Sequence, residues 1–511
     1  MAEDVGGIAA ALDGAETVFD DTDPAAVGDG GEHGQDGRAD GDGDNPDDAG
    51  GTPLRPNRRG YSAEKMNERY ALVLMGSTAV ILDENPDAPL EERHAVRSIK
   101  AFSAWHANRF TQVVVDGKIK ETTWSARWLS DRKRRQYCGI VFHPAPDERS
   151  FPPHGYYNLW KGFSYEPRQK AQGWAILADH IRNHVCQGRD DYYRWILGWM
   201  AHIIQRPRER VGTAIVLRGK MGTGKTVVGE AIGALIASHY FLVDDPRYVT
   251  GQFNAHMASC LLLQAEEAVW AGDKAAEGRL KGLITSKFQM IEAKGVDPIR
   301  LDNFVRLIMT SNEGWVVPAG KDERRFAVFD VSDAVAQNSE YFREMAEQLR
   351  DGGYEALLYD LMQFDLSTVD LRKIPRTGAL LEQKIRSLDS VESWWFERLK
   401  AGTPTRKHRT WPEEVSRDGM FEDYLDKSDK IGIKRRAAES EVGMALAKLV
   451  PALDTVRRWM TVGDHGEQRR ERMRLYRLPP LAACRQMFEE AVGQAVDWED
   501  PDDPQEDEGP S

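Results

Sequence analysis

Gly219-Lys220-Met221-Gly222-Thr223-Gly224-Lys225-Thr226 is the stretch on which the reading of this 511-residue chain turns. Just before it, Ala214-Ile-Val-Leu217 is a short apolar strand; just after it, Val227–Ala237 has helical periodicity. A glycine-rich turn between a strand and a helix lets successive backbone N–H groups face one point, and the helix N-terminus adds partial positive charge there. That point suits a phosphate. Gly219, Gly222, Thr223 and Gly224 form the cradle, Lys225 is placed to reach the β- and γ-phosphates, and Thr226 to hold Mg²⁺. ATP and Mg²⁺ are the expected cofactors, and the expected core is an α/β fold around a parallel sheet.

Hydrolysis also requires acid on a neighbouring strand. Leu261-Leu-Leu263-Gln264-Ala265-Glu266-Glu267 supplies a pair, with Glu266 coming 41 residues after Lys225. Glu266 is expected to orient the metal through water, and Glu267 to activate the attacking water. A further apolar strand, Val305–Met309, ends in Thr310-Ser311-Asn312, whose amide suits a contact with the γ-phosphate or that water. Arg324 and Arg325 precede one more strand, Ala327–Val331, where an arginine is placed to stabilise transition-state charge in a neighbouring subunit. Singly, these are ordinary strand ends. Together they fall in order within the 106 residues that separate Gly219 from Arg325.

This compact order resembles the superfamily-three helicases of small DNA viruses, phages and plasmids. It is most similar to the helicase domain in the C-terminal part of phage and plasmid primases. The resemblance covers about residues 210–332, with a weaker likeness at Tyr157–Phe163 and Ile374–Thr377. It implies a P-loop NTPase core of AAA+-like type, a homo-oligomeric ring that is commonly hexameric, and ATP between subunits. It further implies single-stranded or forked DNA in the central channel and Arg325 (or Arg324) acting in trans. The family carries a lysine on a DNA-contacting hairpin between the acidic pair and the asparagine. Lys281–Gly295 looks like that motif, with Lys294 the better match and Lys287 a looser one; Thr285-Ser286 stand where the family has glycines.

Net charge gives little against a polyanionic partner. The formal −14 arises at the ends, since residues 1–52 hold fifteen Asp/Glu and one Arg, and residues 497–511 hold eight Asp/Glu and no base. The body keeps 67 Lys+Arg against 59 Asp+Glu. Cysteines at 138, 186, 260 and 484 form no C-x-x-C pair, which excludes a zinc ribbon or disulfide framework and suits a reducing compartment. With no apolar run of membrane-spanning length and an acidic N-terminus, no membrane partner is expected, and the bacterial cytoplasm is the expected location.

The expected organisation runs as follows: an acidic disordered tail over 1–55, an α+β region over 56–168, a helical lead-in over 169–210, and the ATPase domain over 211–365. A mostly helical domain over 366–496 comes next, its helices followed by a basic strand-like stretch at Arg472–Leu478 as in a DNA-binding winged-helix unit, and then an acidic tail over 497–511. In the N-terminal region, Trp124–Trp128, Arg132–Arg135 and Tyr156–Phe163 interleave aromatics with bases. That pattern fits either a single-strand-binding surface or buried aromatics beside solvated charge. Residues 61–165 show no Asp-x-Asp/Glu on an apolar strand, so no primer-synthesis site is expected, and a separate primase or polymerase is an expected partner. The function expected is an ATP-dependent DNA helicase in phage, prophage or plasmid replication. The alternative is a DNA-binding remodeller, loader or defence ATPase that does not unwind.

Overall fold

Five short, almost wholly apolar strands build the centre of the molecule in the computed structural model: β1 (Ala214–Arg218), β2 (Tyr240–Val243), β3 (Leu262–Glu266), β4 (Arg306–Ser311) and β5 (Phe326–Asp330). The structure describes residues 60–85, 94–115, 118–147, 149–251, 254–267, 274–293, 296–430, 436–462 and 469–498. All four pairings are parallel, in the order β2-β3-β4-β1-β5. Every residue of β1 and β4 is buried, as expected for strands covered on both faces. Ile308, fully buried mid-sheet, would cost about 2–5 kcal/mol if cut to alanine.

Helix α1 (Lys225–Leu235) leaves the glycine-rich loop and lays Val228, Ala231, Ile232 and Leu235 on the sheet. Its fit is close at Gly229, where a Cβ would stand 1.7 Å from the Gln264 amide oxygen on β3. The lead-in helix Asp190–Gln205 packs on the same face, where it buries Trp195, Ile196, Trp199 and Ile203 and sets Tyr192 and Trp195 against Phe329 of β5. Arg306, at the start of β4, fastens that helix's exit by donating to the carbonyls of Arg206 (2.9 Å) and Pro207 (2.5 Å). One hydrophobic core runs from Ala71 through the sheet to Leu380.

The N-terminal region buries Trp128 and Tyr157 of its interleaved aromatics and packs Trp124, Trp160 and Phe163 at the edges of the cores. Strands Tyr70–Met75, Thr78–Glu84 and His94–Ser98 form an antiparallel meander, on which Met66, Tyr70, Ile81, Phe102 and Trp128 make a small core of their own. Tyr157 is also buried. The neighbouring bases are tied down: Lys133 to Glu64 at 2.9 Å, Arg134 to Gln136 at 2.6 Å, and Arg135 to Glu84. Arg127, Arg132 and Tyr156 remain exposed.

A second core begins at Val391 and gathers Trp394, Trp395, Tyr424, Leu446, Tyr476 and Phe488. The helix Gly378–Arg386 belongs instead to the first, since Gln383 accepts from Val316 N–H at 2.8 Å and Thr377 donates to the Val328 carbonyl. Asp389 starts the next helix, Ser390–Lys400, with a capping box to Glu392 that separates it from Gly378–Arg386. Then come strand Glu414–Ser416, helices Arg417–Lys430 and Glu439–Leu449, a hairpin of Asp454–Val462 with Arg469–Arg477, and helix Leu481–Val492. The three strands form an antiparallel sheet with Arg469–Arg477 in the middle. Trp498 packs against Phe396 and Phe488, so the folded part extends past the expected start of the acidic tail at 497. The acidic stretches at 1–55 and 499–511 lie outside the described residues. No helix among the described residues is long and apolar enough to cross a membrane.

Candidate active site

Because the five strands are parallel, the segments after β1, β3, β4 and β5 all emerge at one end of the sheet, the end where ligands of open α/β sheets bind. Gly219 follows β1, Glu266 closes β3, Asn312 follows β4, and Asp333 comes soon after β5. Residues far apart in sequence are thereby brought together.

The loop is held open by backbone geometry that side chains disfavour. Gly224 caps α1 with φ +82°, and a Cβ there would lie 2.6 Å from Phe342 and 2.8 Å from His180. His180 reaches in from the lead-in to face the Gly224 carbonyl at 3.3 Å. Across the mouth, Gln337 donates its N–H to the Gly222 carbonyl at 3.0 Å, and Lys220 pairs with Asp333 at 2.6 Å. The Thr223 hydroxyl closes the turn on the Lys220 carbonyl at 3.0 Å.

Lys225 is buried, and its ammonium donates to the carbonyls of Gly219 (2.9 Å) and Lys220 (2.7 Å) and to Asn312 Oδ1 (2.8 Å). Burial lowers its pKa, while the charges of Glu267 and Glu266 act to raise it. One residue on, Thr226 donates its hydroxyl to Glu266 Oε1. A hydroxyl and a carboxylate side by side are hard oxygen donors, the set that Mg²⁺ accepts beside a phosphate chain. Glu267 is exposed, has φ +49°, and donates its N–H to the Thr310 carbonyl at 2.9 Å. Its carboxylate accepts from Asn312 N–H at 3.4 Å. A left-handed backbone at a non-glycine residue is uncommon, and here it turns Glu267 out of the strand toward Asn312.

The sequence-derived residues therefore divide. Gly219, Gly222, Thr223, Gly224, Lys225, Thr226, Glu266, Glu267 and Asn312 converge at one end of the sheet. Arg324 and Arg325 do not join them. The Arg325 carbonyl accepts from Ala214 N–H at 2.7 Å, which sets Arg325 at the entry of β1, a full strand away from Gly219. Five residues of strand amount to roughly 16 Å. Arg325 is half-buried beside Glu323 at 3.8 Å, and Arg324 is exposed. Lys287 is exposed at the base of the Phe288–Ala293/Val296–Asp302 hairpin, its ammonium 5.2 Å from the Phe288 ring centroid. Lys294 lies outside the described residues.

Gln264, His180, Asp333 and Gln337 were not assigned roles from sequence. Gln264 is fully buried, accepts from the Tyr240 hydroxyl at 2.9 Å and donates to the Thr226 carbonyl at 3.2 Å, so it ties β3 to the first turn of α1. Its one signal was a polar residue interrupting an apolar strand. For the other three, only the fold reveals their proximity to the loop.

The fold and site define a mixed α/β protein whose parallel sheet carries a lysine-bearing glycine loop, an acidic pair and an asparagine at the carboxyl ends of adjacent strands. Residues 217–325 match the model of a family of unknown function (DUF5906). Over 213 residues the chain is 26% identical to the DNA primase-polymerase of Nitratiruptor phage NrS-1, covering 39% of this chain and 29% of that protein. The chain thus spans less than a third of that relative's length. Two apo structures of the NrS-1 C-terminal region superpose with TM-scores of 0.57 and 0.56 at 14% and 15% identity. They cover 81% of this chain and 98% and 97% of theirs, so the fold is shared over most of both.

Proposed function

We propose that this chain is an ATP-driven DNA helicase of the superfamily-three type, working in the replication of a phage, prophage or plasmid. The observation that carries this reading is the set Lys225, Thr226, Glu266 and Asn312, linked by hydrogen bonds across the ends of three adjacent parallel strands. The strand order, with β1 between β4 and β5, supports an AAA+-like P-loop core. The similarity to a phage primase-polymerase supports a replication role.

In this reading ATP with Mg²⁺, when bound, supplies the phosphoanhydride bond whose cleavage drives movement. Lys225 and the loop amides hold the negative charge of the phosphates, and Lys225 is pre-positioned for this by its three oxygen partners. Thr226 and Glu266 hold and orient the metal. Glu267 takes the proton of the attacking water, with Asn312 fixing its carboxylate and the water. Arg325 faces away from the loop of its own chain, which supports a ring, hexameric in this reading, in which Arg325 completes the neighbour's site. Lys287 and Lys294 contact DNA in the channel.

A fork-unwinding assay with the full chain, ATP and Mg²⁺ tests the reading. Unwinding and hydrolysis are both expected, and both are expected to vanish in Lys225→Ala. Unwinding that survived the substitution would overturn the mechanism. DNA-stimulated hydrolysis without unwinding would replace the helicase by a remodeller or loader.

A further inference from the structure

The hairpin Asp454–Val462/Arg469–Arg477 has two faces with different charge. Strand alternation places Arg457 and Trp459 on one face together with their cross-strand partners Arg474 and Arg472, and Arg470 continues the row. The opposite face carries Arg458 and Arg477, and both are bound: Arg458 to Glu414 at 2.7 Å, Arg477 to the same Glu414 at 3.2 Å. Arg457, Arg470, Arg472 and Arg474 are exposed and have no ion pair among the described residues. Arg457 and Arg474 stand directly opposite each other, a like-charge pairing that destabilises a sheet. Trp459, opposite Arg472, is 65% exposed. Folding explains none of this. The root of the same face is used for packing, since Tyr476 is buried against the helix Glu439–Leu449 near Gly443. The cationic part projects beyond that contact.

We propose that this arginine face binds duplex DNA along its sugar–phosphate backbone, as a site separate from the ATPase machinery. Four unpaired guanidiniums on one face call for a polyanion. Alternate strand residues repeat about every 6.7 Å, close to the separation of successive phosphates along one DNA strand. A two-stranded ribbon of nine-residue strands fits the major groove, which is about 12 Å wide. The flat Trp459 ring beside Arg472 offers an apolar contact to sugars and base edges. The helix–strand–helix–helix–hairpin order makes this ribbon the wing of a winged-helix unit. The exposed side of the helix Glu439–Leu449 carries Glu441, Met444 and Lys448 and is not basic, so the wing holds the charge. The second hydrophobic core under it is distinct from the core of the parallel sheet.

The test is fluorescence anisotropy of the full chain on a labelled duplex and on the matching single strand, across a salt series and without nucleotide. Each neutralised phosphate contributes about −0.9 to the slope of log affinity against log salt on a duplex. The triple variant Arg457→Ala/Arg472→Ala/Arg474→Ala is therefore expected to flatten the duplex slope by about 2 to 3 and to weaken binding at least tenfold. The single variant Arg472→Ala should flatten it by about 0.9, which keeps the test open if the triple variant fails to fold. The corresponding lysine variants should keep the slope, and Arg458→Ala, on the ion-paired face, should leave it unchanged. An unchanged duplex slope in the alanine variants would overturn the proposal, as would a loss confined to the single strand. Repeating the series in Lys225→Ala separates this site from the motor: a chain that never hydrolyses ATP still shows, or fails to show, the arginine-dependent slope.

Discussion

Asn312 Oδ1 accepts a hydrogen bond from Lys225 Nζ at 2.8 Å, although 87 positions separate them in sequence. Asn312 follows β4 and Lys225 opens α1 just beyond β1, and these two strands pair, so the sheet register itself sets the distance. The same asparagine donates its N–H to Glu267. It thus links the cation that holds charge to the carboxylate proposed to hold water. Asn312→Ala is expected to leave nucleotide affinity within a few fold and to cut turnover by about 10²-fold. Equilibrium nucleotide binding beside steady-state hydrolysis checks this, and equal losses in both would reduce Asn312 to a structural role.

Glu266 and Glu267 are adjacent yet face different partners, Thr226 for one and Asn312 for the other. Glu267→Gln keeps shape and hydrogen bonding but cannot take a proton, so turnover should fall by about 10²–10⁴-fold with nucleotide still bound. Glu266→Gln should instead shift the Mg²⁺ dependence of hydrolysis to higher concentration. A magnesium titration of the two variants side by side distinguishes them; matching profiles would remove the division of labour.

Arg325 lies a strand's length from the loop of its own chain. Arg325→Ala is expected to lose hydrolysis, and mixing with Lys225→Ala chains should restore part of it, because a mixed interface joins one intact loop to one intact arginine. Hydrolysis measured against mixing ratio checks this. A flat curve at every ratio would exclude a role in trans.

The centre of the fold was legible because it is local and strongly patterned. An apolar strand, a glycine turn and a helix are contiguous from Ala214 to Leu235, and the sequence places each within a residue or two of its bounds. The strands ending near Glu266 and Asn312 were equally plain, since parallel strands buried on both faces read as predominantly apolar runs, here broken only by Gln264 and Arg306 before their polar ends. What was not legible depends on packing. Asp454–Val462 carries arginines on both faces, and Arg458 interrupts the apolar alternation of Val456, Met460 and Val462, so it does not announce a strand until its partner is known. The bases around Arg135 look like a free cationic patch until the distant Glu84 is brought beside them. Gln337 reaches Gly222 from 115 residues away, through a turn with φ +60° that no sequence pattern specifies.

Acid should weaken the N-terminal region through one buried imidazole. His106 is wholly buried, edge-on to Tyr70 and Phe102 with ring centroids 5.3 and 4.9 Å away, and neither ring nitrogen has a hydrogen-bond partner. Burial, with the nearby Arg109 and Arg69 charges, lowers its pKa from 6.5 to about 4. A depressed histidine pKa means that the folded state prefers the neutral ring. Its contribution is complete above the unfolded value of 6.5 and is lost as pH falls toward 4, at about 1.4 kcal/mol per unit. His180 and His202 are also buried, with values near 4 and 3, and slope the same way. His106→Phe keeps an aromatic ring among Tyr70 and Phe102 but cannot be protonated. Thermal melts from pH 7.5 to 4.5 should therefore show a shallower fall in Tm for the variant than for the parent, the two differing most at the acid end. Parallel curves would mean that His106 is not protonated on unfolding in this range, and would assign the acid sensitivity to His180 and His202 instead.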